Sequence, residues 1–229
     1  MEYPRIGNIQ LDGFALLAPM AGVSDLAYRV IARKMGAALT TAEMVSAKGL
    51  YYHNEKTKDM LKIAEEEHPV SLQLFGSDPA VMALGAKVME KAGADIVDIN
   101  MGCPMQKVVK NGDGSALMKN VTLAAEIISA VTAAVKIPVT VKMRLGWSRD
   151  TINAVELAMA AESAGGAGSL QGQGEGRRRG RQPLRSMVGH GKIFIWERQT
   201  GEKSKRLWMP SVFLLSETGM WGTALRQRH

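Results

Sequence analysis

Short apolar runs alternate with longer amphipathic segments along the first part of the chain. The apolar runs are typical of β-strands and lie at 14–19, 38–43, 70–75, 95–100 and 138–144. The amphipathic segments predict helices at 26–35, 80–92, 121–135 and 152–164. Residues that favour helix starts precede them, namely Ser24-Asp25, Asp78-Pro79, Asn120 and Asp150-Thr151. Three of the helices are followed by the glycines Gly36, Gly93 and Gly165, as is common at helix C-termini.

The repeated strand–helix order predicts a parallel sheet that is covered by helices on both faces. Polar or reactive residues end the predicted strands, at 18–22, 43, 73–76, 100–104 and 142–144. An open doubly wound sheet would carry a glycine-rich phosphate loop after its first strand, and no G-x-G-x-x-G stands there. We therefore predict an α/β fold of the (β/α)8 TIM-barrel class, in which functional groups gather at one rim. Only the first five strand–helix units are recognisable.

Cys103 is the one cysteine of the chain and follows an apolar strand directly. Gly102 and Pro104 beside it favour a tight, exposed turn. A reactive thiol explains this position better than a buried apolar side chain, although the buried side chain stays an alternative.

Two polar side chains lie inside neighbouring apolar strands. Gln73 stands between two leucines, and its amide needs partners if it is buried. Lys142 is flanked by valine and methionine, and its ammonium must reach either solvent or an anion. A hydrogen-bonded core glutamine and a solvated lysine are equally open interpretations. Combined with the thiol, the two groups suit a flat heteroaromatic ring that acquires negative charge, as a flavin does.

Five stretches of the sequence resemble those of the bacterial tRNA-dihydrouridine synthases, most closely the B-type. They are A-P-M-A-G-V-S-D at 18–25, Q-L-F-G at 73–76, D-I-N-M-G-C-P at 98–104, K-N-G-D-G-S-A-L-M at 110–118 and V-K-M-R-L-G-W at 141–147. The resemblance extends from about residue 3 to about residue 166. It implies a flavoprotein barrel that uses NADPH and FMN to reduce uridine in tRNA to 5,6-dihydrouridine.

The resemblance also implies roles for the matching residues. The cofactor-binding positions correspond to Pro19, Met20, Ala21, Gln73, Asn100 and Lys142. Among them, Gln73 would bind the pyrimidine edge of the flavin and Lys142 its N1/O2 side. Cys103 would be the catalytic general acid, which protonates C5 of the uracil after hydride has reached C6. The target base would have to be flipped out of the tRNA fold.

Composition limits the setting in which the protein works. A single cysteine excludes an intramolecular disulfide and favours the cytoplasm. We expect no membrane association, because no signal segment precedes the first strand and no apolar run is long enough to span a bilayer. We also expect no metal, because the four histidines (His53, His68, His190 and His229) lack ligand spacing. A monomer is expected.

The net charge of +7 comes entirely from the end of the chain. Residues 1–168 carry 17 Lys and Arg against 18 Asp and Glu, whereas residues 169–229 carry 12 against 4. Codons shifted by two bases at 186–197 and 216–221 permit V-H-G-R-T-R and G-N-G-D, motifs of the family's later strands. We therefore predict two parts: 1–167, the N-terminal part of an FMN-binding barrel, and 168–229, a basic, out-of-frame and poorly ordered tail. Five strands cannot close a barrel, so weak FMN binding and doubtful activity are expected.

Three other interpretations stay open from the sequence. One is a different FMN barrel, such as a dihydroorotate-dehydrogenase-like enzyme, although the A-P-M-A-G and N-M-G-C-P contexts argue against it. The other two are an inactive fragment and an RNA-binding protein that uses its basic tail.

Overall fold

The computed structural model describes residues 3–148 and 150–164, together with the strands Phe194–Glu197, Val212–Leu214 and Gly222–Thr223. A short antiparallel hairpin of β1 (Arg5–Ile6) and β2 (Ile9–Gln10) comes first. Five strands of the main sheet follow: β3 (Ala15–Leu17), β4 (Leu39–Ser46), β5 (Val70–Phe75), β6 (Ile96–Met101) and β7 (Val139–Arg144). Each pairs in parallel with the next in chain order, which confirms the five predicted strand–helix units of an incomplete barrel.

Helices connect these strands. The four predicted from the sequence are α1 (Leu26–Lys34), α4 (Pro79–Lys91), α6 (Val121–Ala134) and α7 (Ala154–Ala164). Three short ones were not predicted: α2 (Ala47–Tyr51), α3 (Glu55–Asp59) and α5 (Gln106–Val109). Two 3-10 helices, Glu65–Glu67 and Gly114–Lys119, add single turns. None of the helices in the described part of the chain is long and apolar enough to cross a membrane.

The predicted helix starts are correct for three of the four long helices. Asp25, Asp78 and Asn120 each accept a hydrogen bond from a backbone N–H in the first turn of α1, α4 and α6. Helix α7 begins two residues later than predicted, because a bridge between Gly146 and Ile152 keeps the segment before it in a loop. The prediction for Gly165 lies outside the described residues.

The main apolar core lies between the sheet and the helices. Residues at alternate positions of β5, β6 and β7 point outward, because side chains alternate between the faces of a strand. Leu72, Val97, Ile99, Val141 and Met143 are among them and pack with buried residues of α4, α6 and α7. A smaller cluster of Ile6, Leu11, Leu16, Ala38, Leu39 and Ile96 joins the β1–β2 hairpin to the first strands. The inner face of the sheet carries both apolar side chains of this smaller cluster and polar side chains.

Three strands from the end of the chain extend the sheet. β8 (Phe194–Glu197) pairs in parallel with β7, whereas β9 (Val212–Leu214) pairs antiparallel with β3 and with β10 (Gly222–Thr223). The resulting order is β10-β9-β3-β4-β5-β6-β7-β8. A (β/α)8 barrel has only parallel neighbours, so the antiparallel β9 departs from that pattern. The predicted tail at 168–229 otherwise lies outside the described residues, and its origin stays a prediction.

Candidate active site

Polar side chains occupy the inner positions of three neighbouring strands. Register pairs Gln73 of β5 with Asp98 of β6, and Asp98 in turn with Thr140 of β7. One step nearer the carboxyl ends, Asn100 of β6 is opposite Lys142 of β7. Paired residues in adjacent strands point to the same face. The parallel sheet thus collects these five groups at one end of its inner surface.

A chain of hydrogen bonds links four of the inner side chains. The Thr140 hydroxyl donates to Asp98 Oδ1 at 2.5 Å, and Gln73 Nε2 donates to Asp98 Oδ2 at 2.5 Å. Asn100 Nδ2 donates to Gln73 Oε1 at 2.9 Å. All four side chains are buried, so each bond replaces one that water would otherwise provide. Gln73 is therefore a buried glutamine whose amide is hydrogen-bonded at both ends.

The chain of hydrogen bonds ends at the turn that carries the cysteine. Asn100 Oδ1 accepts from the backbone N–H of Gly102 at 3.2 Å and from that of Cys103 at 2.9 Å. Arg144 Nη1 donates to the Gly102 carbonyl at 3.2 Å. The Cys103 carbonyl accepts from the N–H of Ser115. Both sides of the turn are therefore fixed, and Cys103 itself is partly exposed.

A cleft of about 160 Å³ opens where these groups meet. Its wall combines the thiol of Cys103, the amides of Gln73 and Asn100, and Lys142 with apolar or backbone surface from Pro19, Ala21, Met44, Gly102, Pro104 and Met105. The structure therefore brings six of the seven predicted site residues to one place. The exception is Met20, which does not line the cleft. Its backbone N–H instead donates to Ser24 Oγ, and its carbonyl accepts from Ser24, which holds the loop in shape.

Asp98 is the site residue that the sequence analysis missed. Only 2% of it is exposed. Desolvation by burial raises the pKa of its carboxyl, while the bonds from Thr140 and Gln73 and the charge of Lys142 act in the opposite direction. An aspartate inside an apolar strand was the available signal, because a buried carboxyl requires partners.

Comparison with known proteins identifies the family. The dihydrouridine synthase (Dus) family matches residues 16–170, which is more than half of the chain. The chain belongs to the dihydrouridine synthase family. The alternative of a dihydroorotate-dehydrogenase-like barrel is thereby set aside, and the resemblance described from the sequence motifs is confirmed.

Individual relatives agree with this assignment. The chain is 46% identical over 161 residues to tRNA-dihydrouridine synthase B of Proteus vulgaris, covering 70% of the chain and 50% of the relative. It is 44% identical over 165 residues to tRNA-dihydrouridine synthase B of Pseudomonas aeruginosa, covering 72% and 50%. The chain spans about half the length of the curated relatives it matches.

Among solved structures, histamine dehydrogenase from Rhizobium sp. 4-9 shares 14% identity at a TM-score of 0.45, over 66% of this chain and 34% of that one.

Within the described residues of this dihydrouridine synthase family member, no three His, Cys, Asp or Glu side chains are grouped to hold a metal ion. The cleft of this chain is lined by residues that carry amide, ammonium and thiol groups.

Gly114 packs closely against the backbone of the turn that carries Cys103. Its φ of +61° is in the left-handed region, and a Cβ there would lie 2.7 Å from the Cys103 carbonyl oxygen and 2.9 Å from Val108 Cγ1. The neighbouring N–H of Ser115 donates to the same carbonyl. Glycine is therefore required both by the backbone conformation and by the close approach. This contact explains the second glycine, Gly114, of the K-N-G-D-G-S-A-L-M stretch that resembles the family.

We expect Gly114→Ala to lower the free energy of unfolding more than Gly36→Ala does. Gly36 also has a positive φ, of +96°, but a Cβ there would meet no atom within 4 Å. Left-handed strain alone costs about 1–2 kcal/mol, and Gly114→Ala adds the overlap with the Cys103 carbonyl. Urea unfolding of the two variants measures the difference. Equal losses would show that the cysteine turn accommodates the methyl group.

Proposed function

We propose that the chain forms the catalytic cleft of an enzyme that reduces uridine in tRNA to 5,6-dihydrouridine, with FMN as bound cofactor and NADPH as reductant. The observation that carries the proposal is that Cys103, Gln73 and Lys142 line one cleft. Family membership supports the reaction type, and the named relatives support tRNA as substrate. A reaction on tRNA fits the cytoplasmic location expected from the sequence, and the expected monomer stays a prediction.

The groups in the cleft fit the ring system of FMN. A flat ring needs apolar surface on its face, which Pro19, Ala21 and Met44 offer at the cleft wall. The polar edge of a pyrimidine needs an amide that donates and accepts, and Gln73 has one N–H and one lone pair beyond its bonds to Asp98 and Asn100. Lys142 supplies positive charge from β7, which is separated from the strand of Gln73 by β6. FMN supplies hydride transfer when it is bound.

The residues of the chain bind the ring, orient it and position the proton donor. We infer that Gln73 recognises the pyrimidine edge and that Lys142 stabilises negative charge at the N1/O2 side. Pro19 and Ala21 limit the position of the ring from the loop after β3. Asn100 fixes the backbone of the Cys103 turn, so the position from which the thiol projects is set before any substrate is present.

Cys103 is the inferred proton donor to C5 of the target uracil. Its partial exposure leaves it accessible from the cleft, as a base flipped out of the tRNA requires. A donor that acts at the carbon must carry its proton at the moment of reaction, and general acids in such positions contribute about 10²–10⁴-fold to rate. The test of the whole proposal is the dihydrouridine content of tRNA incubated with the chain, FMN and NADPH.

We expect Lys142→Met to weaken FMN binding while Lys136→Met leaves it unchanged. Both lysines belong to or adjoin β7, but Lys136 precedes the strand and lies at the end away from the cleft. Methionine keeps the length of the side chain and removes the charge. Loss of a charge-assisted bond is worth about 1.5–3 kcal/mol, so the dissociation constant should rise about tenfold or more. Fluorescence titration of FMN measures it, and equal affinities in the two variants would contradict the assignment of Lys142.

A further inference from the structure

Asp98 contacts a residue of the cleft wall without lining the cleft itself. Its carboxylate accepts a hydrogen bond at Oδ2 from Gln73 Nε2 at 2.5 Å, and Gln73 lines the cleft. The other oxygen accepts from Thr140 at 2.5 Å. Both partners are themselves buried. A buried carboxyl that contacts a cleft residue in this way is in a position to control how that residue is presented.

The orientation of the Gln73 amide follows from the bonds at the Cys103 turn. Asn100 Oδ1 accepts from two backbone N–H groups, so its Nδ2 must be the atom that faces Gln73. Gln73 must then turn Oε1 towards Asn100 and Nε2 towards Asp98, because an amide presents one acceptor and one donor end. Asp98 is an acceptor at that point, so the orientation is satisfied at both ends.

We propose that Asp98 is a positioning residue, which fixes the Gln73 amide and, through Asn100, the turn that carries Cys103. The part of this inference that concerns FMN rests on the proposed function. The part that concerns Cys103 rests only on the hydrogen bonds of the chain itself.

Charge complements the geometry. Asp98 pairs with Thr140, and Lys142 lies two positions further along the same strand. Asp98 and Lys142 both line a small internal cavity below the cleft, so their side chains lie on the same face of the sheet. The carboxylate therefore lies close to the one lysine placed in the cofactor site.

Asparagine and alanine at position 98 separate orientation from charge. In Asp98→Asn the new Oδ1 can accept from Gln73, and the new Nδ2 can donate to Thr140, whose hydroxyl rotates from donor to acceptor. The Gln73 orientation is then kept although the charge is lost. In Asp98→Ala no acceptor remains for Gln73, so the amide is free to turn and Asn100 loses its fixed partner.

The test compares Asp98→Ala and Asp98→Asn with wild type in two measurements. The first is the rate at which iodoacetamide alkylates the chain without FMN, which reports on Cys103 alone because the chain has one cysteine. The second is the dissociation constant for FMN. Thr40→Ala is the matched control, since Thr40 is a fully buried polar residue whose neighbour Thr41 lines the inner cavity, which places Thr40 on the outer face.

We expect Asp98→Ala to alkylate about tenfold faster and to bind FMN about tenfold more weakly, the loss of one charge-assisted bond. Asp98→Asn and Thr40→Ala should stay within about threefold of wild type in both measurements, which is less than one ordinary hydrogen bond is worth. Rescue by asparagine is the result that a role of the negative charge alone would not give, and Thr40→Ala reports the effect of removing a buried polar group as such. If Asp98→Ala cannot be purified folded, Asp98→Leu, which fills the volume without an acceptor, is measured in its place.

Two results would overturn the proposal. Alkylation of Asp98→Ala at the rate of Thr40→Ala would show that Asp98 does not hold the cysteine turn. Asp98→Asn as impaired as Asp98→Ala would show that charge, not orientation, is what matters. A wild-type chain that fails to bind FMN would contradict the proposed function alone, because the alkylation rates still decide the role of Asp98.

Discussion

Cys103→Ala is expected to reduce dihydrouridine formation by about 10²–10⁴-fold, the usual contribution of a positioned general acid. The thiol is the one group in the cleft wall that can release a proton readily, because amides do not and the lysine charge is needed to stabilise the reduced cofactor. Cys103→Ser should be similarly impaired, since a hydroxyl is a far weaker acid than a thiol. The measurement is the dihydrouridine content of tRNA after incubation with FMN and NADPH.

The controls for this prediction are binding and stability. Both variants should bind FMN within about twofold of wild type and unfold at a similar urea concentration, because removal of a partly exposed small side chain usually changes stability by less than about 1 kcal/mol. Cys103→Ala that keeps more than about a tenth of wild-type activity would contradict the role of the thiol. A wild-type chain that forms no dihydrouridine at saturating FMN would contradict the proposed function itself.

The fold could be predicted from the sequence where the pattern is long enough to show a period. Strand β5 was predicted at its observed bounds, and α1, α4 and α6 to within about one residue at most ends, because each combines a regular apolar pattern with a capping residue. The β1–β2 hairpin was missed, since two-residue strands carry no detectable alternation. Helices α2, α3 and α5 are similarly short and depend on their surroundings rather than on their own propensity.

The site could be predicted in part, because the carboxyl ends of parallel strands meet at one rim even when the strands are far apart in the sequence. Gln73, Asn100 and Lys142 come from three different strands and Cys103 from the turn after β6, and all four reach one cleft. The sequence does not show which polar residue bonds to which. The bonds of Asp98 to Gln73 and Thr140 cross strands far apart in the chain, and only the register places them opposite one another.

The placement of Met20 depends on local bonds that the motifs do not show. Its neighbours Pro19 and Ala21 line the cleft, but Met20 does not. The reason is local, because Ser24 binds both the N–H and the carbonyl of Met20 and so determines how the loop turns. Motif resemblance assigns a role to a whole run of residues, and the role of Met20 in cofactor binding stays a prediction. The interpretation of residues 168–229 as an out-of-frame tail stays a prediction.

A buried ion pair connects the loop after β3, through Ser24, to the rest of the protein. Arg29 of α1 and Glu67 are 2% and 0% exposed, and Arg29 Nε donates to Glu67 Oε2 at 2.6 Å. The other guanidinium nitrogens bond to Glu67 Oε1 and to the carbonyls of Ser24 and Lys62. Glu67 also accepts from the N–H of Ala64. The pair is therefore satisfied on all sides, which is what a desolvated pair requires.

Arg29→Met is expected to lower the free energy of unfolding by about 3–5 kcal/mol, because it leaves the Glu67 carboxylate buried without its counter-ion. This is a large share of the roughly 5–15 kcal/mol by which domains are stable. The double variant Arg29→Met with Glu67→Gln should recover part of the loss, since glutamine keeps an acceptor for Ala64 without a charge. Urea unfolding measures all three, with Lys58→Met as control.

Lys58 forms an ion pair with Glu55 at 2.7 Å, but the two side chains are 44% and 82% exposed. Exposed pairs contribute about 0–1 kcal/mol, so Lys58→Met should change stability very little. Arg29→Met should also weaken FMN binding, because Arg29 holds the carbonyl of Ser24, which in turn shapes the loop that carries Pro19 and Ala21. If Arg29→Met were as stable as Lys58→Met, burial would not determine the strength of this pair. If Arg29→Met bound FMN as tightly as Lys58→Met, the link from α1 to the cleft would be contradicted.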